Sequence, residues 1–412
     1  MSVASLPLIN GDRLNHNLDT LAEIGKLTHG GVRRICFTQE DRLARQLVSN
    51  WMVEAGMTVR VDAAGNIIGT YAGREDCPAL ATGSHIDTVP AAGRYDGTLG
   101  VLAGIEVVRT LRHHQIQLRH PIEVIVFTDE ENTMIGSKAI AGTLNPDPEA
   151  YRHKDGTPIQ TCLERIGGDW EQIATARRDR TQLAAFVELH VEQGGVLESC
   201  GKQIGVVEGV VSMNRFDITV TGRPNHAGTT PMDQRRDALV AASQIVLAVN
   251  QVATQPPGNQ VATVGAMTVH PNATNIVPGR VELSLDLRDL SKTCVDDMVG
   301  RLEREMAAIA QRTHTQMQIT PVLTAEATLA APAIQQAIAH TCEDLNLSYC
   351  YLPSRAGHDS QEMGRITDMG MIFVPSSGGI SHSQDEFTAP EECTQGANVL
   401  LHTLMRLDQA LA

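Results

Sequence analysis

The residues able to do chemistry fall in four short segments that set imidazoles beside carboxylates. Ser84-His85-Ile86-Asp87-Thr88-Val89-Pro90 leads into Gly93-Arg94-Tyr95-Asp96-Gly97. Thr128-Asp129-Glu130-Glu131, Glu188-Leu189-His190-Val191-Glu192-Gln193-Gly194 and Gly379-Ile380-Ser381-His382-Ser383 follow. Any of these histidines taken alone reads as a structural or surface residue. Together, imidazole and carboxylate donors at the ends of hydrophobic runs suit zinc or manganese.

A carboxylate with two usable oxygens can bridge two divalent ions a few ångströms apart. Asp96 is the candidate bridge, because Gly97 permits the tight turn that would expose it. One ion would add His85 and His190, the other Glu131 and His382. Asp87, on the same side of an extended segment as His85, is expected to accept the imidazole N–H and orient it. Glu130 and Glu131 repel one another as bare neighbours; a metal takes Glu131 as a ligand and leaves Glu130 as general base and then proton donor. The bland alternative is a pair of solvated acids.

These segments need rigid elements to hold them. Leu14, Leu18, Leu21 and Ile24 line one face of a first helix, and a second fits Gln39 to Ala55 before the stop at Gly56. Strands are expected at Val59–Val61, Ile67–Tyr71, Leu80–Ser84, Ile122–Phe127 and Ala185–Leu189, with an amphipathic helix from Leu99. Several end at a polar residue, where open α/β sheets place their sites. From about residue 210 the order is strand Phe216–Val220, helix 234–252, strands Val261–Val269 and Val281–Leu287, helix 293–310 and strand Gln316–Leu323. That β-α-β-β-α-β order is the split-βαβ, ferredoxin-like pattern. Pro332 then opens a helix that restores α/β texture. The expected architecture is therefore an α/β catalytic domain of residues 1–211 and 329–412, carrying an inserted α+β domain of residues 212–328.

The 412 residues exceed one comfortable core, which agrees with two domains. A formal net charge of −15 argues against nucleic acid or an anionic membrane as partner. Met1 to Asn10 lacks a basic start and is broken by Pro7, so no signal peptide is expected, and no apolar run approaches a membrane span. Eight scattered cysteines without a close pair read as reduced thiols of a cytoplasmic protein.

The sequence resembles the carbamoylase branch of the di-metal aminoacylase/carboxypeptidase-like hydrolases, which includes N-carbamoyl-L-amino acid hydrolases, β-ureidopropionases and allantoate amidohydrolases. Nearly the whole chain carries the likeness. It runs from Ile24-Gly25, Gly30-Gly31-Val32-Arg33-Arg34 and Asp62-Ala63-Ala64-Gly65-Asn66 through Gly93–Val101 and Leu189–Gly194. Pro224-Asn225-His226-Ala227-Gly228-Thr229-Thr230-Pro231-Met232, Pro271–Gly279, Ala356-Gly357-His358-Asp359 and Gly379–Ser383 complete it. The resemblance implies a di-zinc exopeptidase-like fold whose inserted lid pairs two protomers, with Zn2+ first and Mn2+ or Co2+ as alternatives. It implies the five metal positions named above, Glu130 as acid/base, and Gln193, His226, Asn275, Arg288 and Gly357 as contacts to a small ureido acid.

The residues themselves agree in part. Arg288, between Asp286 and Asp289, can fork onto a substrate carboxylate or close an internal salt bridge. His226 and Asn275 can polarise a ureido carbonyl or serve ordinary turns. One departure concerns the pocket wall: the family has Gly, a small residue, Arg, Phe and a longer run after its paired acids, whereas Asn132-Thr133-Met134-Ile135 leads directly to Gly136-Ser137. Such changes alter discrimination more readily than reaction type. The expected reaction is hydrolysis of the carbamoyl C–N bond; a dipeptidase, an aminoacylase or a catalytically silent homologue are the alternatives.

Overall fold

The computed structural model describes residues 7–28 and 30–411, so the leader reading of Met1–Asn10 lies for its first six residues outside the described residues. Two compact units are present. The first comprises residues 1–209 and 329–412, the second residues 210–328.

The first unit is built on one mixed sheet. Its N-terminal part contributes β1 (Thr58–Val61), β2 (Ile67–Tyr71), β3 (Ala79–His85), β4 (Ile122–Phe127), β5 (Leu183–Val191) and β6 (Ile204–Val210). The helix Gln39–Glu54 starts where the Thr38 side chain accepts the Asp41 N–H and stops before Gly56 at φ +94°. Every residue of β4 is buried, as its nearly continuous apolar run requires, and Glu123, the one charge in it, is paired with Arg178. Alternate residues of one strand enter different cores: Val124 and Val126 join one, Ile125 and Phe127 another. The sheet is therefore covered on both faces.

The second unit holds β7 (Ser212–Thr221), the two-residue β8 (Asn225–His226), β9 (Val261–His270), the two-residue β10 (Ile276–Val277), β11 (Arg280–Asp289) and β12 (Gln316–Ala325). Its four long strands form an antiparallel sheet in the order β12-β7-β11-β9. The helices Ala238–Thr254 and Lys292–Thr313 pack with Ile218, Val220, Leu283 and Leu287 in a single core. The first of these helices begins four residues later than the pattern predicts. Asp237 explains the shift, since its carboxylate accepts the N–H groups of Leu239 and Val240 and makes it the N-cap.

The chain then returns to the first unit with β13 (Thr328–Leu329), the helix Pro332–Asp344, β14 (Tyr349–Ser354), β15 (Asp368–Val374) and a closing helix Pro390–Ala410. The sheet order is β1-β2-β4-β3-β5-β15-β6-β13, with β14 also on β6. Its centre, β4-β3-β5-β15, is parallel. Consequently the C-terminal ends of β3, β4, β5 and β15 lie along one edge, where His85, Thr128–Glu131 and His190 emerge. All eight cysteines are unpaired, and no helix among the described residues is long and apolar enough to cross a membrane.

Candidate metal centre

Asp96 sits between two groups of donors. Its Oδ1 lies 3.5 Å from His85 Nε2 and 3.2 Å from His190 Nε2. Its Oδ2 lies 3.3 Å from His382 Nε2, which is itself 3.5 Å from Glu131 Oε2. The donor atoms of His85, Asp96 and His190 fall within 4.8 Å of one another, as do those of Asp96, Glu131 and His382. The structure thus brings together all five residues singled out as metal ligands.

The tautomers show what the donor set can hold. His85 Nδ1 lies 3.0 Å from the Asp87 carbonyl and His190 Nδ1 lies 2.9 Å from the Val191 carbonyl. Each carbonyl can only accept, so each Nδ1 carries the proton and each Nε2 keeps a lone pair. The lone pairs of two imidazoles then converge on one carboxylate oxygen, and acceptors so placed repel one another. A cation resolves that conflict, which makes the donor set a good fit for divalent metal. Burial opposes charge on both imidazoles, but Glu130, Asp96 and Asp87 outweigh it at His85, and Asp96 with Glu188 outweighs it at His190, so both are raised. Burial pushes Glu131 up to about 7, with the Asp96 charge adding to it.

Asp87 has a different task from the one its spacing suggests. The His85 N–H is taken by the Asp87 main-chain carbonyl, and the carboxylate is 3.8 Å away. That carboxylate instead accepts the main-chain N–H groups of Glu130 and Glu131, at 3.4 and 3.3 Å. It therefore orients the two acids rather than the imidazole. Glu130 Oε2 lies 3.6 Å from His85 Nε2 and is almost wholly buried. Burial raises its pKa well above the usual range against the opposing pull of His85; Asp359 and Glu131 add to the rise.

Backbone geometry holds these groups. Gly97 has φ +66°, and a Cβ there would stand 2.4 Å from His85 Nε2. Its N–H donates to His190 Nε2 at 3.1 Å. Gln193, also at positive φ, donates its Nε2 to Asp96 Oδ2 at 2.9 Å and leaves Oε1 buried without a partner. Gly357 stands in open space, with only Gln361 Oε1 at 4.0 Å from a Cβ added there. The shortened run after Glu131 closes as a tight turn: Thr133 and Met134 donate their N–H groups to the Asp129 carbonyl, and a helix starts at Ile135.

Four further residues support the site; Arg34, Asn66 and Glu188 lie within segments already singled out in the sequence, and Glu386 does not. Glu386 accepts the N–H groups of Tyr95 and Asp96 at 2.9 and 3.1 Å and so fixes the bridging loop. Arg34, fully buried, donates to the carbonyls of Ile86, Leu21 and Ile24 and anchors the His85–Asp87 segment. Glu188 is held by Ser84 Oγ and by the N–H and hydroxyl of Ser360. Asn66 accepts the Thr128 N–H and donates to Asp62 and to the Gly136 carbonyl, gripping the acid loop at both ends.

The other three expected substrate contacts belong to the second unit. His226 and Asn275 are neighbours there, because β8 pairs with β10 and the Ala227 N–H reaches the Asn275 carbonyl at 2.9 Å. His226 Nδ1 accepts the N–H groups of Gly228 and Thr229, which leaves Nε2–H as an exposed donor. Arg288 forks onto Asp286, at 2.7 and 3.2 Å, so the internal salt bridge is formed.

Residues 81–406 match the sequence profile of peptidase family M20/M25/M40. An N-carbamoyl-L-amino acid amidohydrolase of Geobacillus stearothermophilus is 40% identical over 408 residues, covering 98% of this chain and 100% of that protein. An allantoate amidohydrolase of Bacillus subtilis is 33% identical, covering 95% and 96%. A crystal structure of a hydantoinase/carbamoylase-family amidase from Burkholderia multivorans superposes with a TM-score of 0.91 at 37% identity, covering 97% and 98%.

Proposed function

The chain belongs to peptidase family M20/M25/M40, and we propose that it is a divalent-metal-dependent amidohydrolase that removes the carbamoyl group from an N-carbamoyl amino acid or a related ureido acid. The carrying observation is Asp96, whose two oxygens each face a separate set of donors. Two bound cations, zinc first and manganese or cobalt as alternatives, would polarise the ureido carbonyl and acidify the attacking water. Glu130 takes the proton of that water and passes it to the departing nitrogen; its buried, acid-rich setting raises the proton affinity that the first step needs. The carbamate so released decomposes to carbon dioxide and ammonia.

The second unit acts in this reading as a lid. His226, with its fixed Nε2–H, and Asn275 donate to the developing oxyanion. Gln193 and Gly357 border the substrate, and Arg288 turns its fork from Asp286 to the substrate carboxylate. On that basis Arg288→Lys keeps the charge but loses the fork, and should raise KM for ureido acids. Substrates with that carboxylate amidated should be affected much less. Equal sensitivity of acid and amide in steady-state kinetics would remove the carboxylate role.

The lid sheet leaves Met267, Val322 and Leu323 exposed on its edge strands β9 and β12, and we assign to it the surface of a twofold homodimer. The unpaired thiols suit a cytoplasmic setting. The deciding experiment measures ammonia release over a panel of N-carbamoyl-α-amino acids, N-carbamoyl-β-alanine and allantoate, with dipeptides and N-acyl amino acids as controls. Metal content and sedimentation equilibrium are read on the same preparation. We expect two metal ions per chain, a dimer, and turnover of at least one ureido acid that chelation abolishes. Turnover of dipeptides or N-acyl amino acids alone would replace the carbamoylase reading.

A further inference from the structure

A cleft of about 530 Å³ opens beside the metal-bearing sheet, within the first unit. Its walls are the helix Gln39–Glu54, residues Val61 and Ile67 of β1 and β2, and residues 165–166 after the helix Ile159–Glu164. The volume is that of a small-molecule site. Arg42, Arg45 and Arg165 line it, and no Asp or Glu does. In a chain whose formal net charge is −15, three guanidiniums around one cleft are a local reversal of sign.

The three cations differ in how they are held. Arg45 is buried, donates to the Gly65 carbonyl and has the Asp41 charge nearby, so it forms a fixed wall. Arg42 and Arg165 are exposed, and neither is engaged by a carboxylate among the described residues. Arg42, Arg45, Gln46 and Ser49 recur at the spacing that puts them on one helix face, adding amide and hydroxyl groups to the same wall. Leu43 and Val61, 53% and 43% exposed, supply apolar surface beside the charges. Forked cations next to an uncovered apolar surface match a ligand with a multivalent oxyanion at one end and an apolar ring or chain at the other.

We propose that this cleft binds a phosphorylated small molecule, with the phosphate between Arg42 and Arg165 and the apolar part on Leu43 and Val61. The site is independent of the hydrolytic reading, since none of its residues belongs to the metal centre. The test uses the full chain and isothermal calorimetry with three probes: inorganic phosphate, adenosine 5′-monophosphate and adenosine. The nucleotide should bind more tightly than phosphate, adenosine should not bind measurably, and the double variant Arg42→Gln/Arg165→Gln should weaken nucleotide binding at least about tenfold. Both side chains are exposed, so the variant should melt as wild type does. If it does not, Arg42→Lys/Arg165→Lys serves instead, because it keeps the charge and removes only the forks. Absence of saturable binding, equal affinity for phosphate and nucleotide, or nucleotide binding that survives both double variants would each overturn the proposal; the last would place the anion on the metal centre.

Discussion

Glu130→Gln should keep the full complement of metal and lose about 10²- to 10⁴-fold in kcat. The substitution is nearly isosteric, and Glu130 is not among the five clustered donors, Asp96 included. Packing and ligation are therefore preserved while the group that takes and returns a proton disappears. Arranged as they are, with the Asp87 carboxylate on the N–H groups of both acids, Glu130 and Glu131 cannot exchange tasks without moving the main chain. Metal analysis beside steady-state kinetics checks the outcome. A metal-replete variant with near-normal kcat would show that another group moves the proton.

Gly97→Ala should cost at least as much activity by a different route. The new methyl would stand 2.4 Å from His85 Nε2 and 2.5 Å from its neighbouring ring carbons. The ring must leave its place or the loop carrying Asp96 must shift, and either separates the facing acceptors. Positive φ adds strain of order 1–3 kcal/mol. Metal stoichiometry should fall with turnover. Gly201→Ala is the control, since Gly201 also has positive φ, at +61°, but nothing lies within 4 Å of its added Cβ. Full metal content and activity in Gly97→Ala would mean that the close approach to His85 is not what shapes the site.

These effects rest on features of uneven legibility. Ile67–Tyr71 and Ile122–Phe127 are found at their expected limits, because turn residues bound compact apolar runs. His85, Glu131 and His190 are readable as imidazoles and acids at the ends of such runs, and Asp96 and His382 only from the glycine-bearing segments that carry them. β15 was not: its Met-Gly-Met-Ile-Phe-Val run carries no alternation, and its place between β5 and β6 is decided by pairing far along the chain. Glu386 stayed hidden for the same reason, since the N–H groups it holds lie about 290 positions away. For Asp87 the spacing placed the residue correctly beside His85 and misjudged which of its oxygens accepts. Main-chain carbonyls leave no mark in a sequence, yet one of them sets the His85 tautomer.

The order of strands has a consequence for how the molecule is made. β5 reaches its second neighbour, β15, only after residues 368–374 have been synthesised, and β6 finds all its partners among segments after residue 327. During translation the middle of the main sheet therefore waits half-built while the inserted unit, with its own core, is free to fold. His382, just beyond β15, arrives later still. A ribosome that stalls within the inserted unit would leave β5, whose residues are buried in the finished sheet except for the half-buried Ala184, as an open edge, and the donor set short of His382. The topology thus gives the segment from residue 368 to His382 two tasks at once: it seals the sheet and brings the last of the five donors.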